Sequence, residues 1–328
     1  MLTKAKSGIR QAKRAVKLKK MEPSIYGSNK SKSIIELVMT IIFWVCGITS
    51  VVSVLAITIY MIVSGVPALQ EIGLVDMLFG TEWAPTSSDP QFGILYMILT
   101  SIVGTSLAIL IGVPIAVLTA IFLAEVADRR LTRIVQPAVE LLAGIPSVVY
   151  GLLGILIVKP MMYRLEEMIY ANDPTHQMTG GANLLSAVLV LAIMILPTVI
   201  NVSCTSLRAV PRDLRSSSLA LGATKMQTIF RVTLPAASSG VITAIVLGVG
   251  RAIGEAMAIT LVAGNAVNLP APFNAVRFLT TGIVSEMSYS AGLHRQALFT
   301  IGLVLFAFIM IINLILNTTL KRAANKDA

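Results

Sequence analysis

Arg251 and Glu255 stand four residues apart inside residues 241–262, a stretch that otherwise carries no charge. This stretch is long enough to cross a bilayer, which takes about 20 apolar residues. At about 1.5 Å per residue, Arg251 lies roughly 15 Å from residue 241, close to the bilayer midplane. A charge at that depth costs on the order of 3 kcal/mol. We therefore interpret the pair as part of a substrate or ion pathway, with a salt bridge that fixes helix packing as the alternative.

The residue types of this pair suit the handling of an anion. On one continuous helix, residues i and i+4 share a face. Arg251 is always charged, and its rigid fork of donors matches the oxygens of a phosphate. Glu255 would balance that charge when no anion is present, or favour a protonated anion by hydrogen bonding. Gly250 and Gly254 are spaced so that a neighbouring helix could approach closely, and we favour this packing role for them.

The composition is that of an integral membrane protein. Of 328 residues, 55% are hydrophobic and 13% are charged, about half the charged fraction of roughly 25% in soluble domains. The two cysteines, Cys46 and Cys204, fall in apolar segments and carry no disulfide or metal signature. We predict an all-α, polytopic membrane protein with six transmembrane helices. The six apolar segments are 34–63, 92–123, 134–158, 184–204, 241–262 and 297–320.

The basic residues predict the orientation of these spans. Of the 26 Lys and Arg residues, 21 lie in the two tails and in the loops 124–133 and 205–240, whereas four lie in the alternate loops and Arg251 is the remaining one. Excess positive charge marks the cytoplasmic side. We expect both termini, the basic tail 1–33 and the tail 321–328, to be cytoplasmic. Because the Lys and Arg residues cluster beside apolar segments, they do not indicate a nucleic-acid-binding surface.

The loop 64–91 is acidic and is expected on the outer side, where it could dock a protein partner or merely be solvated.

The loop 205–240 is unusually apolar for a connection. Gly222 is expected to divide it into two short helical pieces, and Pro235 to end the second. Such a segment suits an amphipathic helix that presents itself to a partner. A helix lying on the membrane surface is the alternative.

Several motifs give the chain a family resemblance. Gly222, nine residues and then Val232-x-Leu234-Pro235 resemble the EAA loop of ABC importer permeases, although Ser216, Ser217 and Ser218 replace its Glu-Ala-Ala. The stretches QFG at 91–93, GIPSVVYG at 144–151, GRAIGEAMA at 250–258 and VAGN at 262–265 are similar to the PstC type of phosphate permease. The paralogous PstA type shares the loop and an Arg-x-x-x-Glu-like stretch.

The resemblance implies a type I ABC importer permease fold, with a core over residues 92–320, in a bacterial cytoplasmic membrane. It implies a phosphate importer built with a second, PstA-like permease, two cytoplasmic ATPase subunits and an outer phosphate-binding protein, and no cofactor in this chain. The substrate pathway would contain Arg251 and Glu255. The ATPases would be coupled through the loop residues Ser216, Ser217, Ser218, Gly222, Leu234 and Pro235.

Other functions remain open at the level of sequence. The chain has no G-x4-G-K-[ST] loop, so hydrolysis of ATP by that route would belong to partner chains. A permease for sulfate or molybdate is the nearest alternative, and a secondary transporter that needs no ATPase is another, although no internal repeat of the kind common in those proteins is visible. An intramembrane enzyme is disfavoured because Glu140 and Glu255 are scattered. His176 and His294 stand alone in outer loops, without the company of metal ligands.

Overall fold

The computed structural model describes residues 30–324. The predicted tails 1–33 and 321–328 lie outside the described residues except at their inner ends. The chain divides into two compact units, residues 1–59 and 60–328. The first described helix, α1 (Lys30–Ile72), belongs in part to each unit. Its residues 34–63 are almost all exposed apolar side chains, which suits a helix surrounded by lipid.

The described residues are mostly helical. After α1 come a short helix and a two-stranded antiparallel hairpin, and then twelve helices of very different lengths. The elements are α2 (Leu74–Phe79), β1 (Trp83–Ala84), β2 (Gln91–Phe92), α3 (Leu95–Ile121), α4 (Arg129–Ala143), α5 (Ser147–Leu153), α6 (Lys159–Tyr170), α7 (Leu184–Ala209), α8 (Arg212–Ala220), α9 (Lys225–Thr228), α10 (Leu234–Ala236), α11 (Ser238–Gly254), α12 (Met257–Val262), α13 (Leu279–Glu286) and α14 (Gly292–Ala324). Wider π-helical turns extend α3 over Phe122–Val126 and join α5 to α6 and α9 to α10.

Five described helices are long and apolar enough to cross a membrane, and a sixth span results if a bent pair is counted as one. The five are Ile34–Ile72, Leu95–Val126, Ser147–Tyr170, Leu184–Ala209 and Gly292–Ile315. The bent pair is Lys225–Ala236 with Ser238–Gly254, at an angle of 71°. The predicted all-α, polytopic architecture is therefore confirmed.

Three predicted boundaries were wrong. The first helix runs to Ile72, so the outer loop begins nine residues later than expected. The third span is Ser147–Tyr170 and not 134–158, because the chain breaks at Gly144–Pro146 and residues 129–143 form the separate amphipathic helix α4. Proline disfavours a helical conformation in the residue before it and so separates α4 from α5. The fifth span does not run on from 241 to 262, because α11 ends at Gly254.

Small residues bring α3 and α11 close to α7, which lies between them. A side chain at Gly112 of α3 would collide with Ile195 of α7, with 2.8 Å between the nearest carbons. A side chain at Gly248 of α11 would come within 2.6 Å of Val199 of α7. Because α7 is buried along most of its length, it forms the centre of the packed core against which the proposed pathway residues are held.

Candidate functional site

Arg251 lies in the last turn of α11, thirteen residues from its start at Ser238 and so roughly 20 Å along the helix. Its Nη1 donates a hydrogen bond of 3.0 Å to Oγ1 of Thr198, on α7. The side chain is only partly buried, and none of the ion pairs among the described residues includes it. Its five N–H donors therefore retain capacity for a further acceptor.

Glu255 does not share a helix face with Arg251, so the predicted i, i+4 geometry was wrong. Glu255 follows the end of α11 in an extended conformation and precedes α12. Its carboxylate is buried, with the residue 9% exposed, and Oε1 accepts a hydrogen bond of 2.9 Å from the backbone N–H of Ala258. A carboxylate is favoured at a helix N-terminus, where backbone N–H groups lack partners. Glu255 thus stabilises the break between the two helices.

The break is also held from outside the span. Oγ1 of Thr280 donates a hydrogen bond of 2.7 Å to the backbone carbonyl of Glu255. On the opposite side, Gly151 of α5 lies so close to Ala258 that a side chain there would come within 2.9 Å of its Cα. A non-helical backbone at membrane depth is tolerated only where protein surrounds it or a polar cavity adjoins it. The contacts meet that requirement and fix where α11 stops.

A second break lies in the neighbouring span. The residues Gly144, Ile145 and Pro146 separate α4 from α5. The hydroxyl of Tyr150 donates a hydrogen bond of 2.8 Å to the carbonyl of Leu142, which also accepts from the backbone N–H of Ile145 at 3.2 Å. Tyr150 is also within electrostatic range of the Arg251 guanidinium. The interrupted span thus packs, through α5, against α12.

Gly250 and Gly254 do not admit a neighbouring helix within this chain. No other described part of the chain lies within 4 Å of the point where a side chain at either glycine would begin. The close approach to α7 is made instead through Gly248 and Gly240, the latter against Ser206. The face that carries Gly250 and Gly254 is open.

The loop after α7 has the two helical pieces that its sequence predicted. Gly222 adopts φ +85°, a left-handed conformation that suits glycine, just after α8 ends. Ser216 and Ser217 are exposed, whereas the hydroxyl of Ser218 lies 2.9 Å from that of Thr228 on α9. The second piece ends at Ala236, one residue after Pro235, while Leu234 packs partly into the core.

An ion pair connects this loop to the second span, Leu95–Val126. Nη2 of Arg215 lies 2.7 Å from Oε1 of Glu125, in the π-helical turn after α3, and 2.7 Å from the carbonyl of Leu207 on α7. Leu221 is 90% exposed. The loop therefore joins three elements and leaves an apolar side chain uncovered.

The two histidines are not isolated, which corrects the sequence interpretation. Nε2 of His294 lies 2.8 Å from Oε2 of Glu286, which also accepts from Trp83 Nε1 at 2.9 Å, while Arg277 pairs with Oε1 of the same carboxylate. All four side chains are largely buried. This group, Trp83, Arg277, Glu286 and His294, is called the outer ion cluster below.

His176 lies beside a second buried carboxylate. Its Nε2 is 2.9 Å from Oε1 of Glu166, and Thr179 donates to both carboxylate oxygens through its backbone and its hydroxyl. Its ring stacks on Tyr170, with centroids 3.7 Å apart. In the same loop, hydrogen bonds from Thr175 hold the pKa of Asp173 below its usual value.

Within the described residues no group of three or more His, Cys, Asp or Glu side chains could hold a metal ion.

Two interrupted spans, an arginine without an ion pair among the described residues and a helical loop between α7 and α11 are consistent with a transport permease. The chain belongs to the family of binding-protein-dependent transport system inner membrane components, whose model matches residues 112–325. It is 36% identical over 297 residues to the probable ABC transporter permease protein YqgH of Bacillus subtilis (strain 168), which covers 88% of this chain and 93% of that protein.

The chain is also similar to permeases named for phosphate. It is 34% identical over 286 residues to the phosphate transport system permease protein PstC of Xylella fastidiosa (strain 9a5c), covering 84% of this chain and 87% of the relative. Among solved structures, it resembles a chain of a bacterial alginate ABC transporter in complex with a pentasaccharide-bound periplasmic protein, with a TM-score of 0.62 and 15% identity over 88% of this chain and 96% of that chain. At that identity the likeness shows the fold alone, the fold of an ABC importer permease.

Proposed function

We propose that this chain is a permease subunit of an ATP-driven phosphate importer and forms half of its translocation pathway. The observation that carries the proposal is Arg251, a partly exposed guanidinium that contacts a hydroxyl and forms an ion pair with no carboxylate among residues 30–324. An oxyanion is the ligand that such a fork of donors recognises best. The name of the PstC relative supports phosphate as that oxyanion.

In this proposal Arg251 and Glu255 both serve the pathway, with different tasks. Arg251 contacts the passing anion through donors that Thr198 leaves free. Glu255 acts as a positioning residue, since its carboxylate holds the start of α12 through the N–H of Ala258. A single hydroxyl partner keeps Arg251 oriented without neutralising it. The site can therefore attract an anion and still release it.

The free energy of ATP hydrolysis would be transmitted to the permease through the loop 205–240. Two cytoplasmic ATPase subunits would dock against Ser216, Ser217, Ser218, Gly222, Leu234 and Pro235, and the highly exposed Leu221 belongs to the same surface. Arg215 would transmit the movement, because it joins α8 to α3 and α7. This places the loop and both termini in the cytoplasm of a bacterial cell, which the distribution of Lys and Arg supports.

The remaining partners would be a second permease and an outer phosphate-binding protein. The open face at Gly250 and Gly254 suits the second permease, because glycines allow the backbones of two helices to approach. The binding protein would dock on the outer side, where the cavity of 660 Å³ beside the hairpin is lined by Glu71, Asp76 and Glu82. This acidic surface would meet a protein and would repel free phosphate.

Uptake by the complete reconstituted transporter tests the substrate. Radiolabelled phosphate should enter proteoliposomes only when ATP and all partner subunits are present. A tenfold excess of unlabelled phosphate should abolish the signal, whereas the same excess of sulfate or molybdate should leave most of it. Competition by sulfate or molybdate equal to that by phosphate would contradict phosphate specificity, and uptake without the ATPase subunits would favour a secondary transporter.

The coupling surface has its own test. Leu221→Asp should prevent the ATPase subunits from copurifying with the permease, because it places a charge on an apolar contact. Leu269→Asp is the matched control, an exposed leucine in the loop between α12 and α13, and should leave copurification intact. Equal behaviour of the two variants would remove the loop from the ATPase contact.

A further inference from the structure

A basic cavity lies beside the junction of α3, α4 and α7. Its volume is 610 Å³, and its lining includes the four arginines Arg129, Arg133, Arg208 and Arg212 and one acidic residue, Glu140. None of the ion pairs in the described part of the chain includes any of these arginines. The cavity is thus strongly positive, and it is distinct from the site of Arg251.

One side of the cavity is fixed in place. Arg208 donates to Oε1 of Gln136 through Nη1 and to the carbonyl of Leu123 through Nη2, at 3.3 Å for the latter. The amide of Gln136 donates in turn to Oε1 of Glu140 at 3.0 Å. Glu140 therefore contacts a neutral amide, and it forms no ion pair with these arginines in the described part of the chain. These hydrogen bonds fix the guanidinium of Arg208 before a ligand binds. The side chain therefore loses less conformational entropy on binding.

The faces of α4 indicate what kind of anion fits. The lining residues of α4 recur at helical spacing, at positions 129, 132, 133, 136, 137 and 140. The adjoining face is apolar and open, with Ile134 72% and Leu141 75% exposed. A small soluble anion does not cover an apolar face of this kind. A phospholipid fits both features, because its acyl chains can cover the apolar side chains while its phosphate enters the basic cavity.

We propose that this cavity binds the phosphodiester headgroup of an anionic phospholipid. Arg129 and Arg133 supply charge from α4, and Arg208 supplies a fixed donor from α7. The lipid would join α4 to α7 next to the loop that holds Arg215. The site is independent of which solute the permease transports.

Lipid binding to the purified full-length chain tests the proposal. The probes are phosphatidylglycerol, zwitterionic phosphatidylcholine and inorganic phosphate, each titrated in an uncharged detergent and counted by native mass spectrometry. We expect phosphatidylglycerol to bind and phosphatidylcholine not to compete. The double variant Arg129→Gln/Arg133→Gln should lower the affinity for phosphatidylglycerol about 25-fold, at about fivefold for each arginine.

Arg130→Gln is the matched control, because Arg130 is an exposed arginine of the same helix that does not line the cavity. It should change the affinity less than about twofold, and Arg133→Lys, which keeps the charge, should change it less than Arg133→Gln. Equal loss in Arg130→Gln and the double variant would overturn the proposal in favour of diffuse charge attraction. Displacement of phosphatidylglycerol by millimolar inorganic phosphate would overturn it in favour of a soluble-anion site. A double variant that binds as the parent chain does would overturn it outright.

Discussion

The outer ion cluster and the fifth span each contain an arginine and a glutamate that are close in sequence, and the two regions use them in opposite ways. In the outer ion cluster, Arg277 and Glu286 are nine residues apart, face each other and are largely buried. In the fifth span, Arg251 and Glu255 are four residues apart and turn to different partners, a hydroxyl on α7 and a backbone N–H in α12. Closeness in sequence does not create an ion pair when the helix ends between the two residues.

We interpret the difference as one between a structural ion pair and a proposed pathway site. The carboxylate of Glu286 is fully used by Arg277, His294 and Trp83, and so the outer ion cluster has little left to offer a ligand. Arg251 keeps donors free at a depth where an unpaired charge is costly. A chain keeps such a charge where it serves a ligand. The following predictions test this comparison by removing one member of each pair.

The largest effect is expected from Arg251→Gln. This change removes the charge that attracts the anion, and phosphate uptake should fall at least about 100-fold, the loss expected when about 3 kcal/mol of charge-assisted hydrogen bonding disappears. Copurification with the partner subunits should be unchanged, because Arg251 makes no ion pair that the fold depends on. Initial uptake rates in proteoliposomes measure the effect.

Arg251→Lys provides the comparison for that prediction. It keeps the charge and loses the planar fork, so uptake should recover in part. Normal uptake by Arg251→Gln would assign Arg251 to helix packing, the alternative that its sequence left open.

The second effect concerns stability and not transport. Glu286→Gln leaves the buried Arg277 without its counter-charge, which should lower the free energy of unfolding by about 3 kcal/mol. Thermal unfolding of the purified chain should show the loss, while uptake per folded transporter stays close to that of the parent. Glu82→Gln, an exposed change in the same outer segment, should leave the unfolding temperature where it was. A transport defect in Glu286→Gln without loss of stability would contradict the structural role of the outer ion cluster.

These sites also show what could be predicted from sequence and why. The apolar segments, the basic loops and the Gly222–Pro235 pattern are local signals, and they predicted the class of fold and the two helical pieces of the loop 205–240. The depth of Arg251 in the membrane stays a prediction. The break at Gly144–Pro146 also had a local signal, since Pro146 disfavours helix in the residue before it. The apolar run through residues 134–158 obscured that signal.

The break at Glu255 had no comparable signal. Residues 241–262 read as one continuous helix, and the interruption depends on Thr280 and on the close approach of Gly151, which are distant in sequence. The outer ion cluster likewise includes Trp83, which donates to Glu286 from 203 residues away. Long-range packing of this kind cannot be obtained from the spacing of charges within one segment.

A smaller effect should distinguish two roles for Glu255. If Glu255 holds the start of α12, Glu255→Gln should be nearly neutral, because an amide oxygen can still accept from the N–H of Ala258. Glu255→Ala should cost about 1 kcal/mol of stability, as loss of a helix cap does. Unfolding temperature and uptake are measured together. Equal loss of uptake in Gln and Ala variants would show instead that the charge of Glu255 matters, as the paired arrangement requires.

The smallest effect is expected at Thr198, which orients the guanidinium of Arg251 from α7. Thr198→Val keeps the shape and removes the acceptor, at a cost of about 0.5–1 kcal/mol, so the KM for phosphate uptake should rise roughly two- to fivefold. The maximal rate should be nearly unchanged, because the charge itself remains. Thr198→Ser keeps the hydroxyl and should behave as the parent does. If the Val and Ser variants shift KM equally, the hydrogen bond to Thr198 does not orient Arg251. The contrast with the ion-paired Arg277 then becomes sharper, because Arg251 would be held by its anion alone.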